Sequence, residues 1–387
     1  MLCTRSSRHV LQRSSSVAGA VAGTSAGLRL QASSRRTFVS DADVEKARTY
    51  CVNQLRAGDY DAHLASHFLP SGARDAYLAL RTLNLELSRL PETVSNPTIG
   101  AMRMQFWKDA INKTFEGTPP REPVSLLLYA ALAASASRSA APSTKKTAGN
   151  NFSSIKFWLQ RFISTRQQHM DNRPFASLAA LEDYAESTYA TLMYITLAML
   201  PLRSMHVDHL ASHIGKAYGI AAIIRGIPVL AAPAPSANDP SIPQRNPVLL
   251  LPLDVMADVG LREEDVYRQG PAAPGLQEAV FRVATRANDH LITAREMIKN
   301  IRAGQDPGHE YEHAGEDGHT YGDADTGVAG EREEIQALQR GFGVLLEAVP
   351  TQDFLTRLET SDFDAFRVKS SWKLPWSLYR AQKTQKL

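Results

Sequence analysis

The sequence predicts an all-α fold, a single helical-bundle domain, and three observations support that class. Apolar residues recur along most of the chain with the 3.6-residue period of an α-helix. No segment shows the regular apolar–polar alternation of a half-buried strand. Two long segments, 177–200 and 206–230, are apolar on several sides, as expected of helices in the middle of a bundle. With 43% hydrophobic residues in a chain of 387, the composition allows one large core.

Eight helices follow from this periodicity and from residues that start or stop a helix. Ser71 is placed to act as an N-cap and Pro91 to end the same helix, while Pro97 favours a first turn and Gly117 a C-cap. The predicted helices span residues 42–59, 71–92, 96–117, 151–170, 177–200, 206–230, 281–301 and 331–349.

Three segments interrupt the helical pattern. Residues 135–149 are small and polar, residues 231–247 are rich in proline, and residues 303–331 are acidic and rich in glycine. Proline-rich sequence cannot continue a helix, and acidic sequence with few apolar residues buries too little surface to fold. We therefore predict one domain over residues 41–387, with disordered insertions near these three segments.

Residues 1–40 are predicted to be a mitochondrial transit peptide. They contain six arginines, many serines and alanines, and no Asp or Glu, a composition typical of such signals. Arg36 stands two residues before Phe38, which favours cleavage just after Phe38; a merely disordered tail is the alternative. Without those arginines the chain has 37 basic and 40 acidic residues, so its net charge is −3 and nothing indicates a nucleic-acid surface.

The cysteines and the hydropathy exclude two further classes. Cys3 lies in the predicted transit peptide, so Cys51 is the one thiol of the mature chain and can form neither an internal disulfide nor a CxxC metal site. No run approaches the roughly 18 consecutive apolar residues that a membrane-spanning helix needs. The mature protein is therefore expected to be soluble or bound to a membrane surface.

Five segments resemble, in their order and spacing, the motifs of one enzyme family. They are YLALRTLNLELSR (77–89), MRMQFWKDAI (102–111), LEDYAESTYATLMY (181–194), HIGKAYGIAAIIRGIPV (213–229) and LLLPLDVMADVGL (249–261). Through them the chain resembles the squalene/phytoene synthase family of head-to-head prenyl transferases. That resemblance implies the isoprenoid synthase bundle, in which two facing helices carry aspartates four residues apart that hold Mg²⁺ against a prenyl diphosphate.

The positions where that family carries its aspartates hold other residues. The first set falls on Asn84, Leu85 and Ser88, and the second on Gly226 and residues 228–230. These residues lack the negative charge needed to hold several Mg²⁺ ions against diphosphate. The sequence therefore predicts a pseudoenzyme with no catalytic residue, no cofactor and no metal ion.

A vestigial pocket is predicted from residues that remain at family positions. Glu86 is a lone acid on the first of these helices, and Tyr189 and Met193 stand where the family has small residues that let a substrate approach. One interpretation is that the pocket residues now hold the helices together. The other is an adapted pocket that binds an anionic or prenyl-like ligand. The predicted pocket residues are Arg81, Asn84, Glu86, Arg103, Trp107, Tyr184 and Arg225.

One branch of this superfamily, involved in building respiratory complex I, shares the substitutions. The resemblance covers NLELSRLPETVSNPTIGAMRMQFWKDAI (84–111), ASHIGKAYGIAAIIRGIP (211–228) and SDFDAF (361–366). It implies a non-catalytic protein of the mitochondrial matrix, peripheral to the inner membrane, whose partners are complex I assembly intermediates or subunits. The alternatives are an active prenyl-diphosphate transferase and a protein that binds a prenyl lipid without converting it.

Two groups of histidines are weaker candidates for a metal site. His209 and His213 share a helical face, and such a pair can bind zinc, but no third ligand follows and ordinary capping and core roles are favoured. His309, His313 and His319 lie in the acidic insertion, where charged flexible sequence explains them adequately.

The C-terminal segment mixes aromatic and basic residues, which favours the headgroup region of an anionic bilayer. The alternative is a terminal helix that packs its aromatic side chains on the bundle. The predicted membrane contacts are Trp372, Lys373, Trp376, Tyr379 and Arg380.

Overall fold

The computed structural model describes residues 39–94, 96–139, 148–231, 246–305 and 328–387. The long regular elements among them are helices, in agreement with the predicted all-α class. The N-terminal half forms α1 (Asp41–Gly58), α2 (Tyr60–Ala65), α3 (Ser71–Thr93), α4 (Pro97–Phe115), α5 (Pro123–Ser139) and α6 (Ala148–Gln168). The C-terminal half forms α7 (Leu178–Ala185), α8 (Thr191–Ala198), α9 (Met205–Leu230), α10 (Leu253–Asp258), α11 (Glu263–Gln269), α12 (Leu276–Ala303), α13 (Val328–Leu345), α14 (Ala348–Thr360) and α15 (Leu374–Thr384).

The eight predicted helices are present, although several of their ends differ from prediction. Pro70, not Ser71, is the N-cap of α3, and Pro91 lies within α3, two residues before its end. Proline is tolerated there because its missing N–H removes one hydrogen bond in the last turn only. Gly117 lies just past the end of α4 with a φ of 84°, as a glycine that ends a helix requires.

The structure also contains helices that the periodicity does not predict, namely α2, α5, α10, α11, α14 and α15. The loop predicted over 135–149 is wrong at both edges, since residues 135–139 belong to α5 and residues 148–149 to α6. The insertion predicted over 303–331 is likewise wrong at its end, where residues 328–331 belong to α13. Residues 1–38, and residues 140–147, 232–245 and 306–327 of the three predicted insertions, lie outside the described residues.

Helix α9 is the central element of the bundle. It contacts α7, α8, α12, α13 and α14, and it buries apolar residues on several sides, which confirms the prediction for segment 206–230. Its closest approach to a neighbour is at Gly215, where an added Cβ would lie 2.3 Å from the Cα atom of Ala190. A side chain at that position has no room, so glycine lets two helices meet backbone to backbone.

A π-helical segment, Glu186–Ala190, joins α7 to α8. The Thr191 hydroxyl donates to the carbonyl oxygen of Glu186 at 3.0 Å, across this widened turn. The extra residue of a π-turn rotates the following side chains relative to an uninterrupted α-helix, and such bulges are frequent at functional sites. Here Tyr189 of this segment and Tyr184 at the end of α7 both lie beside one arginine at the bundle centre, described next.

Candidate functional site

The buried side chain of Arg81 forms an ion-pair network inside the predicted pocket. Its Nη2 atom donates to Asp59 Oδ2 and to the Tyr218 hydroxyl, both at 2.5 Å. Its Nη1 atom lies 3.8 Å from one oxygen of Glu347, whose other oxygen accepts from the Tyr77 hydroxyl. Burial alone would lower the pKa of Arg81, but Asp59 and Glu347 raise it well above its ordinary value. The side chain, only 5% exposed, therefore stays charged.

Asn84, a position where the family resemblance implies a metal ligand, is bound by an arginine. Arg166 on α6 donates from Nη2 to the Asn84 amide oxygen and from Nη1 to the Tyr184 hydroxyl. Its guanidinium carbon also lies 5.4 Å from the ring centroid of Tyr189. A cation thus already occupies the contact that a metal ion would make, and the two positive charges would repel each other strongly in a buried site.

The space left between these two networks is small. The cavity beside Arg81 measures about 10 Å³, which is room for about one water molecule at most. Pockets that bind small organic ligands measure about 300–1,000 Å³. Tyr189 and Met193 line this cavity, at the positions where the family has small residues. In this conformation the cavity cannot hold a prenyl chain.

Arg225 and a pair of stacked tyrosines join the two networks to the rest of the bundle. Arg225 donates from Nη1 to Asp61 Oδ2 at 2.8 Å and from Nη2 to the Pro350 carbonyl oxygen at 3.0 Å, which ties α9 to α2 and α14. Its guanidinium carbon lies 5.8 Å from the Tyr218 ring centroid, and the rings of Tyr218 and Tyr189 are 5.1 Å apart. The structure therefore brings together four predicted pocket residues: Arg81, Asn84, Tyr184 and Arg225.

Helix α4 places the other predicted arginine at the surface. Arg103 is exposed, whereas Trp107 is 5% exposed with its ring 5.4 Å from that of Phe106. Around Arg103 lie Ile99, Met102 and Phe106, which are 43%, 59% and 46% exposed and share one helical face. A contiguous apolar stripe on a surface is a candidate contact for another protein.

Glu86 lies apart from the central networks, beside α1. Its carboxylate accepts a hydrogen bond of 3.1 Å from the Tyr50 hydroxyl. Burial, with the charge of Glu122 nearby, raises the pKa of Glu86 to about 7. The ionised form is therefore disfavoured in the folded state, which makes Glu86 a destabilising group at alkaline pH.

Glu86→Gln is expected to remove a pH dependence of stability. The folded-state pKa is raised above the ordinary value of 4.5, so the contribution of the carboxyl is fully present below pH 4.5 and is lost as the pH rises through about 7. The difference in melting temperature between variant and native chain should therefore grow in favour of the variant from pH 5 to pH 8. A constant difference across that range would show that Glu86 ionises as freely in the folded state as in the unfolded one.

A chain of three histidines crosses the core beside α9. The Nε2 atoms of His209 and His213 are 3.1 Å apart, and the Nδ1 atoms of His213 and His290 are 3.0 Å apart. His290 Nε2 lies 2.6 Å from Glu182 Oε1, which also accepts from Arg286 at 2.6 Å. These separations are those of direct hydrogen bonds, so His209 and His213 connect through His290 to Glu182.

Glu182 favours its ionised form and His290 its uncharged form. Burial opposes ionisation of Glu182, but hydrogen bonds from His290 and Arg286 lower its pKa to about 2. An ionised Glu182 accepts a hydrogen bond from the N–H at His290 Nε2. In the uncharged His290 ring, Nδ1 then accepts a hydrogen bond from His213 Nδ1, and His213 Nε2 accepts one from His209 Nε2. Burial also lowers the pKa of His290. Sequence reasoning identified one pair of this chain and missed His290 and Glu182. The predicted histidine candidates at 309, 313 and 319 lie outside the described residues.

The C-terminal helix α15 packs through aliphatic residues and exposes its aromatic ones. Leu374, Leu378 and Ala381 are buried against the bundle, whereas Trp376 and Tyr379 are 70% and 51% exposed. Trp372, just before the helix, is 79% exposed, and Lys373 and Arg380 are exposed beside these rings. The alternative that the aromatic side chains pack on the bundle is therefore wrong. In the described part of the chain, no helix has the length and hydropathy to cross a membrane.

Comparison with known proteins gives a family and several relatives. The family model for squalene/phytoene synthase matches residues 55–380. A Bos taurus protein named NADH dehydrogenase (ubiquinone) complex I, assembly factor 6 is 30% identical over 333 residues, which cover 85% of this chain and 80% of the relative. The Homo sapiens protein of that name is 29% identical with the same coverage. A homolog of it in Dictyostelium discoideum is 26% identical and covers 70% of this chain and 68% of its own.

Two solved structures share the fold at low sequence identity. A dehydrosqualene synthase crystallised with a ligand superposes with a TM-score of 0.57 at 14% identity, covering 89% of this chain and 98% of its own. The squalene synthase HpnC from Alicyclobacillus acidocaldarius superposes with a TM-score of 0.54 at 11% identity, covering 84% and 97%. They confirm the predicted isoprenoid synthase type of helical bundle.

Proposed function

We propose that this chain, which belongs to the squalene/phytoene synthase family, is a non-catalytic assembly factor for mitochondrial respiratory complex I. Its site of action is the matrix face of the inner membrane. The names of its relatives support a role in complex I assembly. The transit peptide predicted over residues 1–40 supports a mitochondrial location. The geometry of the pocket supports the proposal that the chain is not a catalyst.

The observation that supports a non-catalytic role is that two arginines, Arg81 and Arg166, lie inside the pocket. Prenyl transfer requires Mg²⁺ ions that neutralise diphosphate while the allylic bond ionises. Arg166 already donates to Asn84, and Arg81 is neutralised by Asp59 and Glu347. These contacts pair the charged groups of the pocket with the chain's own side chains, which supports a pocket that stabilises the fold instead of binding substrate.

Incubation of the purified chain with Mg²⁺ and farnesyl diphosphate or geranylgeranyl diphosphate is expected to release no diphosphate above the rate without protein. This assay, together with a measurement of melting temperature, separates the two alternatives, an active prenyl transferase and a prenyl-lipid-binding protein. Sustained turnover would support an active prenyl transferase. A rise in melting temperature with either diphosphate, without turnover, would support a prenyl-lipid-binding protein, because a ligand that binds only the folded state stabilises it.

The stripe on α4 is our candidate for the contact with a complex I intermediate. Ile99, Met102 and Phe106 present apolar surface, and Arg103 lies among them with a positive charge. This chemistry fits an apolar helix of the partner that carries one carboxylate at the edge of its contact face. In the bundle of this chain the three side chains leave 43–59% of their surface exposed, and that surface is what a partner would cover.

Native-gel analysis of complex I in a deletion strain tests both the assembly role and the stripe. Deletion is expected to reduce mature complex I, and the native chain is expected to restore it. Met102→Glu should restore it poorly, because a carboxylate is introduced into the apolar contact. Met205→Glu is the matched control, since Met205 is an exposed methionine (72%) at the start of α9. Normal complex I after deletion would reject the assembly role, and equal rescue by the two variants would reject the stripe.

Attachment to the inner membrane is proposed to occur through the exposed aromatic residues near the C-terminus. Trp372, Trp376 and Tyr379 suit the headgroup region of a bilayer, and Lys373 and Arg380 suit anionic lipids. Trp372→Ser/Trp376→Ser is expected to move the chain from the membrane pellet to the supernatant of sonicated mitochondria. This double variant is preferable to truncation, which would uncover the buried contacts of Leu374 and Leu378.

A further inference from the structure

A groove with an excess of positive charge lies beside the exposed aromatic residues. It is formed by α12, α14 and α15, and its volume is about 560 Å³, within the range of sites for small ligands. Its polar lining combines three cationic side chains, Arg295, Arg380 and Lys386, with Gln352 and Asp353. The groove is distinct from the filled pocket, since none of its lining residues lines the cavity beside Arg81.

Arg295 is the half-buried cation of this groove. Its Nη2 atom donates to Gln352 Oε1 at 2.6 Å, an uncharged partner. Burial lowers the pKa of Arg295, and among the described residues no carboxylate forms an ion pair with it. A guanidinium that has lost part of its hydration without gaining a counter-charge is a strong site for an external anion.

The one acidic side chain of the lining is already engaged elsewhere. Asp353 accepts from Arg357 at 2.9 Å and from the Ser371 hydroxyl at 3.0 Å. Arg302, seven residues beyond Arg295 on the same face of α12, donates to the Gln385 carbonyl oxygen at the end of α15. Within the lining, the basic side chains of Arg295, Arg380 and Lys386 therefore outnumber the acidic ones.

The position of the groove indicates which anion it takes. On α15, Ser377, Arg380 and Thr384 line the groove, while Trp376 and Tyr379 are exposed on the adjoining face. A bilayer whose headgroups surround those rings would bring lipid phosphates to the mouth of the groove, where a guanidinium can bind two phosphate oxygens at once. We propose that this groove binds the phosphate headgroup of an anionic phospholipid, a proposal that rests on the membrane attachment proposed above.

Flotation of the full chain with vesicles tests the groove. Vesicles of phosphatidylcholine alone are compared with vesicles that also contain cardiolipin. Arg295→Gln is expected to weaken binding to the cardiolipin vesicles about tenfold, which is about 1.4 kcal/mol, because glutamine cannot form the charge-assisted bonds of a guanidinium to phosphate. Arg268→Gln is the control for net charge: Arg268 lies on α11, is 74% exposed and pairs with Glu264, and its loss should change binding less than twofold. Arg295→Lys keeps the charge but cannot bind two phosphate oxygens at once. Its binding to the cardiolipin vesicles should lie between that of Arg295→Gln and that of Arg268→Gln.

The outcomes separate the groove from the wider membrane proposal. If Trp372→Ser/Trp376→Ser abolishes flotation while Arg295→Gln and Arg268→Gln behave alike, membrane attachment stands and the groove proposal is wrong. If the native chain floats with neither vesicle, membrane attachment and the groove both fail. If inorganic phosphate raises the melting temperature of the native chain but not of Arg295→Gln, and flotation is equal for both, the groove takes free phosphate and the lipid assignment is overturned. Far-UV circular dichroism of each variant checks that it is folded.

Discussion

Arg81→Leu is expected to destabilise the folded chain by about 3–5 kcal/mol, the usual cost of breaking a buried ion pair by removing one partner. Glu347 is 3% exposed and would keep the Tyr77 hydroxyl as its remaining described hydrogen-bond donor. Asp59 would lose its 2.5 Å contact but keep the backbone amide of Ala62, which it caps at 3.2 Å. The penalty therefore comes mainly from a carboxylate left in the core without a positive charge. Urea unfolding at pH 7 measures it.

Two further variants test whether the loss of stability comes from breaking the ion pair between Arg81 and Glu347. Arg81→Leu/Glu347→Leu should be more stable than Arg81→Leu alone, because replacing both charges with apolar side chains removes the unpaired carboxylate. Arg282→Leu is the matched surface control: Arg282 is 43% exposed and pairs with Glu278 at 2.9 Å, an interaction that contributes under about 1 kcal/mol. A loss of similar size in Arg81→Leu and Arg282→Leu would mean that the central network does not hold the pocket closed.

Much of the fold could be predicted because most helices of this chain have a polar face or a clear terminal signal. Helix α5 has a start signal in Pro123 but no polar face. Residues 125–137, SLLLYAALAASAS, are apolar or small at almost every position, so no period could be measured, and their small C-terminal residues looked like the start of a loop. The π-helical segment was also beyond prediction, since an inserted residue shifts the period without leaving a mark in the composition.

The sequence predicted residues that lie in the pocket but not which side chains contact each other there. Asn84 and Tyr184 were identified, yet the residue that joins them, Arg166, was not. One signal existed: Arg166 continues, at helical spacing, the buried face that includes Leu159 and Phe162 on α6. An arginine on such a face usually extends its charged end to solvent, so only the tertiary structure could distinguish a buried cation from an exposed one. The same holds for Glu182, whose partners His290 and Arg286 are more than 100 residues away in the chain.

Gly215→Ala is expected to destabilise the chain by about 3 kcal/mol, the upper end of the cost of overpacking a core. Its Cβ would meet the Cα, N and Cβ atoms of Ala190 at 2.3–2.6 Å. Two of these are backbone atoms of the π-helical segment, which cannot rotate away as a side chain can. Helix α9 cannot retreat either, because α12 packs against it as well.

Gly226→Ala, the same substitution in the same helix, should instead stabilise the folded chain. A Cβ there meets only the flexible end of Leu230, at 3.1 Å, and alanine favours a helix interior over glycine by about 1 kcal/mol. Urea midpoints of the two variants provide the comparison. Gly215→Ala should also speed hydrogen exchange of the amides in Glu186–Ala190, because moving this segment weakens its helical hydrogen bonds and takes the Tyr189 ring away from Arg166. If Gly215→Ala is instead as stable as Gly226→Ala, the close contact between α9 and the π-helical segment does not determine the geometry that closes the pocket.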